Sequence, residues 1–135
     1  MPAIEWQPAF SVQVARYDEQ HSKLIDLIND LHSAMTRGEG QIILGNIFQS
    51  LADYTKIHFA DEEKMMETHG YPGISRHKDA HQHLLGRVTE LKKEFVAGNS
   101  VMSVNVLNFL KDWLTTHIQG EDKLYGRFYN DKGIF

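Results

Sequence analysis

The stretch ISRHKDAHQHLLGRVTELKKEF, residues 74–95, carries Ile74, Leu84, Leu85, Val88, Leu91 and Phe95 at helical spacing. His77 and His81 fall on the same stripe. Side chains three, four and seven residues apart share one face of an α-helix. The segment therefore reads as an amphipathic helix whose buried face contains two imidazoles one turn apart. In a chain with eight histidines an HxxxH pair is weak by itself, so the segments around it must say whether these two are core residues or ligands.

Three breakers flank and divide the chain: RGEG at 37–40, HGYPG at 69–73 and AGNS at 97–100. Each supplies glycine where helices stop, and Asn99 and Ser100 can cap a following helix. The segment before the first breaker begins at Asp18, read as its N-cap, with Leu24, Ile25, Ile28, Leu31 and Met35 on one stripe. The next carries Ile43, Ile47, Leu51, Tyr54 and Met65, and the last carries Val104, Leu107, Leu110, Leu114 and Leu124. No period-two alternation is long enough for a sheet. The expectation is an all-α, antiparallel up-down-up-down four-helix bundle forming one domain over residues 1–135. Its helices are expected at about 18–37, 41–68, 74–97 and 100–128. Residues 1–17, with Trp6, Pro8 and Phe10, read as an extended arm laid over the bundle, the two rings sealing it there.

The composition narrows the chemistry. A net charge of −4 and the lack of any basic run argue against nucleic acid as a partner. No apolar run approaches a membrane span, and the opening MPAIEWQPAF lacks the basic and apolar regions of a signal peptide. A cytoplasmic location is the expectation. The chain has no cysteine, which excludes disulfides and thiolate metal sites. Any metal must be held by nitrogen and oxygen.

His21 precedes Leu24 and Ile25 on the first stripe, and His58 continues Leu51 and Tyr54 with Glu62 one turn later. His77 and His81 lie on the third stripe, and His117 extends Leu107, Leu110 and Leu114. Every helix thus aims at least one histidine into the core. A lone core histidine ordinarily makes one hydrogen bond and binds nothing, but five of them with a carboxylate exceed what pairwise hydrogen bonds satisfy. A metal satisfies them together. His32, His69 and His83 read as solvated residues. In HIQGED, 117–122, Asp122 follows His117 by five residues, roughly 140° around an ideal helix. An inserted residue in a π-bulge would bring it inward, Gly120 lies between, and Glu121 is the rival on ideal geometry. Spacing does not choose between them.

Together, DEQH at 18–21, HFADEE at 58–63, HKDAH at 77–81 and HIQGED at 117–122 resemble the hemerythrin family, in particular its bacterial single-domain members. The resemblance covers nearly the whole chain and places the last ligand on Asp122. It implies two iron ions with an oxo or hydroxo bridge. His77, His81 and His117 would bind one iron, His21 and His58 the other, and Glu62 and Asp122 would bridge them. It further implies dioxygen as the ligand, at the open position of the two-histidine iron, in a cavity lined by Phe59, Trp113, Leu114 and Ile118.

The donor set has its own chemistry. Zinc and copper also take nitrogen and oxygen ligands, but a paired site with bridging carboxylates and an open position favours iron. Five neutral imidazoles and two carboxylates supply little negative charge. That suits reversible oxygen binding better than the higher oxidation states of carboxylate-rich di-iron bundles, whose paired ExxH signature is absent. A non-enzymatic oxygen store, transporter or delivery protein is the expectation. The alternatives are a di-iron peroxidase or nitric-oxide-handling enzyme, or a sensor. Gln20, Tyr54 and backbone carbonyls are candidate acceptors for the second N–H of the ligating imidazoles.

Overall fold

The structure, a computed structural model, describes residues 3–96 and 104–135. Its helices are α1 (Ala15–Thr36), α2 (Gln41–His69), α3 (Ile74–Val96), α4 (Val104–His117) and α5 (Lys123–Asp131), and a π-helical turn, Ile118–Asp122, joins α4 to α5. Among the described residues there is no strand, and no helix is long and apolar enough to cross a membrane. The chain forms the four-helix bundle that the stripes imply, with α1 against α2 and α4, and α2 against α3. Leu24, Ile28 and Leu31 meet Leu84, Val88, Leu107 and Leu110 in its core. Gly70 ends α2 in the left-handed region, φ 68°, while the Tyr71 N–H donates to the Met66 carbonyl at 2.9 Å. The expected caps Asn99 and Ser100, and the expected meeting of the third and fourth helices at 97–100, lie outside the described residues.

Several expectations are corrected. Helix α1 starts at Ala15, three residues before Asp18, and its N-cap is the extended Val14. The Asp18 carboxylate turns back to the arm instead, accepting from Ser11 Oγ at 2.6 Å and from the Val12 N–H at 2.8 Å. The buried face of α2 runs through Leu44, Phe48, Leu51, Ala52, Thr55, Phe59 and Met66, while Ile43 is 45% exposed and Ile47, Tyr54 and Met65 are half-buried. Apolar residues come in adjacent pairs there (Ile43 and Leu44, Ile47 and Phe48, Met65 and Met66), so two helical phases fit the sequence almost equally. Val104 and Leu124 are exposed as well. For Leu124 the cause is the π-helical turn, which advances everything after it by one position and buries Tyr125 in its place. The fourth helical stretch is therefore interrupted, and it ends at Asp131 rather than near 128.

The arm packs as expected but is not extended throughout. Pro8–Phe10 make a 3₁₀ turn, and Ile4, Phe10, Val12 and Val14 are buried, whereas Trp6 is 40% exposed and meets Phe10 edge-on at 5.9 Å. Asn29 holds the arm's start by a reciprocal pair: its Oδ1 accepts from the Ile4 N–H at 2.9 Å and its Nδ2 donates to the Ile4 carbonyl at 2.8 Å. Asn130 Nδ2 donates to the Gln13 carbonyl at 2.9 Å. At Gly126 the arm lies directly on α5, where an added Cβ would sit 2.2 Å from the Val12 carbonyl oxygen. Gly126→Ala should therefore lift the arm and destabilise the fold by about 1–3 kcal/mol, the usual cost of overpacking. Urea unfolding and limited proteolysis of residues 8–14 measure both effects; an unchanged midpoint would show that the contact yields freely.

Candidate metal centre

Inside the bundle, α1 to α4 each deliver at least one imidazole to one point, α2 adds a carboxylate, and the π-helical turn adds another. His21, His58, Glu62, His77, His81, His117 and Asp122 are all buried, at 0–6% exposure. Their donor atoms form two groups, each within 4.8 Å: Glu62, His77, His81, His117 and Asp122, and beside it His21, His58 and Glu62. The π-helical turn supplies the fifth of these positions. It rotates Asp122 inward beneath His117, and Glu121, the alternative on ideal spacing, turns out to accept from Arg76 at 2.7 Å.

Both carboxylates face both groups. Glu62 Oε1 lies 3.2 Å from His81 Nε2 and 3.6 Å from His77 Nε2, while Oε2 lies 3.3 Å from the Nε2 atoms of His21 and His58. Asp122 Oδ1 lies 3.0 Å from the Nε2 atoms of His77 and His117, and Oδ2 lies 3.1 Å from His21 Nε2. All five histidines thus aim Nε2 at the carboxylates, and His77 and His117 bring two Nε2 atoms within 3.3 Å.

The outer ring atoms fix this orientation for two of them. His58 Nδ1–H donates to Gln20 Oε1 at 2.6 Å, and Gln20 Nε2 donates to Asp61 Oδ2 at 3.0 Å, with Arg16 paired to the same carboxylate. His81 Nδ1–H donates to Glu63 Oε2 at 2.9 Å. A proton held on Nδ1 leaves the Nε2 lone pair free for a ligand role. Gln20 was among the acceptors expected; Tyr54 instead lies beneath the Lys23 ammonium, 5.7 Å from its ring centre. Glu63, Asp61 and Tyr125 were missed. Tyr125, fully buried, donates its hydroxyl to Glu62 Oε2. Burial and the Glu62 and Asp122 carboxylates push its phenol well above the usual range, so the hydroxyl keeps the proton that it donates to Glu62. Its one sequence signal is its place one turn after Asp122.

Five buried donor atoms of the cluster and its rings have no hydrogen bond among the described residues: His21 Nδ1, Glu62 Oε1, His77 Nδ1, His81 Nε2 and Asp122 Oδ1. Three of these face the shared centre. Two buried carboxylates with orphaned oxygens beside imidazole lone pairs fit a pair of cations, and nitrogen–oxygen donors suit iron. Of the expected pocket residues, Phe59 stacks on His81 at 3.6 Å and Trp113 on His117 at 4.4 Å. With Leu114 they line an apolar cavity; Ile118 is fully buried but does not line it. Of the histidines read as solvated, only His83 is exposed. His32 is half-buried, and so is His69, whose ring meets Tyr129 edge-on.

A helical bundle closed around a nitrogen-and-oxygen donor cluster defines a metal-binding domain. The family model for the hemerythrin HHE cation binding domain matches residues 12–129. A bacteriohemerythrin of Methylococcus capsulatus is 36% identical over 127 residues, covering 93% of this chain and 96% of that one. The myohemerythrin of Sipunculus nudus is 30% identical over 124 residues, covering 89% and 88%. A crystal structure of wild-type hemerythrin matches with a TM-score of 0.89 at 35% identity, covering 93% of this chain and 96% of that one. The chain belongs to the hemerythrin family, a family of di-iron, oxygen-binding proteins.

The electrostatics give a pH signature for the metal-free state. Burial pushes the His21 and His77 imidazoles down, but hydrogen bonds and attraction from Asp122 and Glu62 outweigh it and hold them at about 10 and about 9. Burial pushes Glu62 and Asp122 up, and Glu62 also repels Asp122, yet the surrounding imidazoles hold both below the usual carboxylate range. A raised histidine stabilises the fold fully below its unfolded value near 6.5 and loses that contribution as pH climbs through its folded value. The melting temperature of metal-free protein should therefore fall between pH 6.5 and 10. Metal competes with these protons, so its affinity should rise over the same range. Calorimetric scans at stepped pH measure the first effect and metal titrations the second; a flat melting profile would mean that the imidazoles are not proton-bound.

Proposed function

We propose that this chain binds dioxygen reversibly at a di-iron centre and acts as a carrier or store rather than as an enzyme. In this reading His77, His81 and His117 hold one iron, His21 and His58 the other, and Glu62 and Asp122 bridge them. The observation that carries it is the division of both carboxylates, each turning one oxygen toward either group of imidazoles. A mononuclear site would have no use for that arrangement.

When bound, the two irons supply the reversible two-electron chemistry that dioxygen binding requires. The chain supplies the rest. The two-histidine side has one imidazole fewer, which leaves room there for an exogenous ligand. Phe59, Trp113 and Leu114 line an apolar cavity next to the cluster, Phe59 against His81 and Trp113 against His117, which excludes the water and anions that would take the ligand's place. Tyr125 holds its proton on Glu62 Oε2, the oxygen facing the two-histidine side. Glu63 and Gln20 keep protons on the outer nitrogens of His81 and His58, so neither ring can turn without losing a partly buried hydrogen bond. The low negative charge of the donor set favours an adduct that reverses.

Air admitted to the iron-loaded, reduced protein should produce a visible band that disappears when oxygen is removed, over repeated cycles. Steady oxidation of an added reductant with no stable adduct would point to a peroxidase-like enzyme instead. Two variants separate the roles of the ligands. Glu62→Ala removes a group shared by both metals and should cost the dinuclear site, with iron-to-protein ratios falling from two to well below one. His21→Ala removes one donor from the two-histidine side and should leave about one iron. If Glu62→Ala retains two irons and the parent spectrum, the bridging role is wrong.

A further inference from the structure

A chain of side chains runs inward from solvent to the metal cluster: Arg16, Asp61, Gln20 and His58. Its spacing can be read in the sequence. Arg16 and Gln20 stand one turn apart on α1, and His58 and Asp61 one turn apart on α2. The two helices pack together, and the two pairs bond across the contact. Arg16 Nη2 pairs with Asp61 Oδ1, Gln20 Nε2 donates to Asp61 Oδ2 at 3.0 Å, and His58 Nδ1 lies 2.6 Å from Gln20 Oε1. The outer end of this chain is exposed at Arg16, and the inner end, the His58 ring, is buried.

The polarity of the chain is set at its outer end. A carboxylate accepts hydrogen bonds and has no proton to give. The Gln20 amide can therefore satisfy Asp61 only with its NH2 end, which leaves its carbonyl oxygen facing His58. That oxygen also only accepts, so Nδ1 of His58 carries the ring proton. In a neutral imidazole the other nitrogen is then bare, and Nε2 is the atom aimed at Glu62. With the amide reversed, its NH2 would face Nδ1, the proton would sit on Nε2, and the lone pair that a metal needs would be gone. His21, the other imidazole of that side, has no hydrogen bond at its outer nitrogen among the described residues. His81 needs no relay, because the Glu63 carboxylate meets its Nδ1 directly at 2.9 Å.

Resting on the reading of His58 as a metal ligand, we propose that Asp61 is a positioning residue: acting through the Gln20 amide, it selects the tautomer of His58 that can bind metal on the two-histidine side. Asp61→Asn replaces one heavy atom at a side chain that is 23% exposed, and it reverses the relay. Arg16 only donates, so the new amide turns its oxygen to Arg16 and its NH2 to Gln20. Gln20 then gives its oxygen to that NH2 and its own NH2 to His58 Nδ1. Adding Gln20→Glu restores the direction, because a carboxylate at position 20 accepts from both neighbours. The double variant also keeps the net charge of the parent. A residue that merely held α1 to α2 would not be rescued in this way.

Long-range nitrogen–proton NMR spectra of the metal-free proteins, taken over a pH series so that the neutral ring is read, report the tautomer directly. The His58 proton should sit on Nδ1 in the parent, on Nε2 in Asp61→Asn, and on Nδ1 again in the double variant, with melting temperatures confirming that all three fold. Anaerobic titration with ferrous iron should show the second equivalent bound about 10–100-fold more weakly by Asp61→Asn, the usual cost of disturbing a ligand's outer partner. The double variant should bind it as tightly as the parent. A proton that stays on Nδ1 in Asp61→Asn, or that fails to return there in the double variant, overturns the relay. A reversed tautomer with the second iron held as tightly as in the parent overturns its role in metal binding. A parent that takes up no second iron overturns the two-metal reading and that role with it, while the tautomer comparison still decides the relay.

Discussion

Glu62 and Asp122 bring two carboxylates to the middle of a helical bundle, where each is 1% exposed. A carboxylate removed from water without compensation costs far more than a fold of this size has in reserve. The surroundings are arranged around that cost. Each long helical stretch contributes at least one imidazole, set so that Nε2 faces a carboxylate oxygen. The apolar stripes must then take up whatever rotation the imidazoles demand, because one helix face holds both. Helix phase is thereby fixed at the cluster, and the leucines and isoleucines that extend from it along the bundle inherit it.

The shell outside the imidazoles is unequal on the two sides. His81 on the three-histidine side leans on a carboxylate, Glu63, whereas His58 on the two-histidine side leans on the neutral amide of Gln20, with Asp61 one step further out. A charged acceptor makes a ring a stronger donor than an amide does. The two halves of the cluster therefore differ in electron supply as well as in imidazole count. Arg16 pairs with Asp61 at the end of the Gln20 chain, which ties the orientation of a buried ring to an exposed cation.

Most of the architecture could be read from periodicity, because the stripes on α1, α3 and α4 are narrow and each holds a histidine in phase. Where the pattern doubled, as in the adjacent apolar pairs of α2, the sequence carried two phases and only packing chose between them. The turn at Ile118–Asp122 is a different case. Five-residue spacing from His117 to Asp122 is compatible with an inserted residue or with Glu121 facing inward, and the choice depends on contacts to α1 and α3 that no local pattern encodes. The acceptors around the imidazoles were partly legible. Gln20 stands next to His21 on a helix neighbouring His58, but Glu63 and Tyr125 became partners only through the rotation of α2 and the displacement of α5. Asp18 shows the converse, since a residue suited to capping was taken by the arm, leaving the helix to begin earlier.

The arm has a mechanical consequence. Helix ends normally fray first, opening and closing independently of the interior. Here the segment from Ile4 to Gln13 is fastened to Asn29 in the middle of α1, to Asp18 near its start, and to Gly126 and Asn130 in α5. The first and last stretches of the bundle are laced to each other, so neither can loosen without shedding the contacts of the other. Asp122 lies just before α5, which places one of the two central carboxylates within reach of that lacing. A disturbance at the periphery of the arm is thereby coupled to the centre of the bundle, and the outermost residues share the cooperativity of the core.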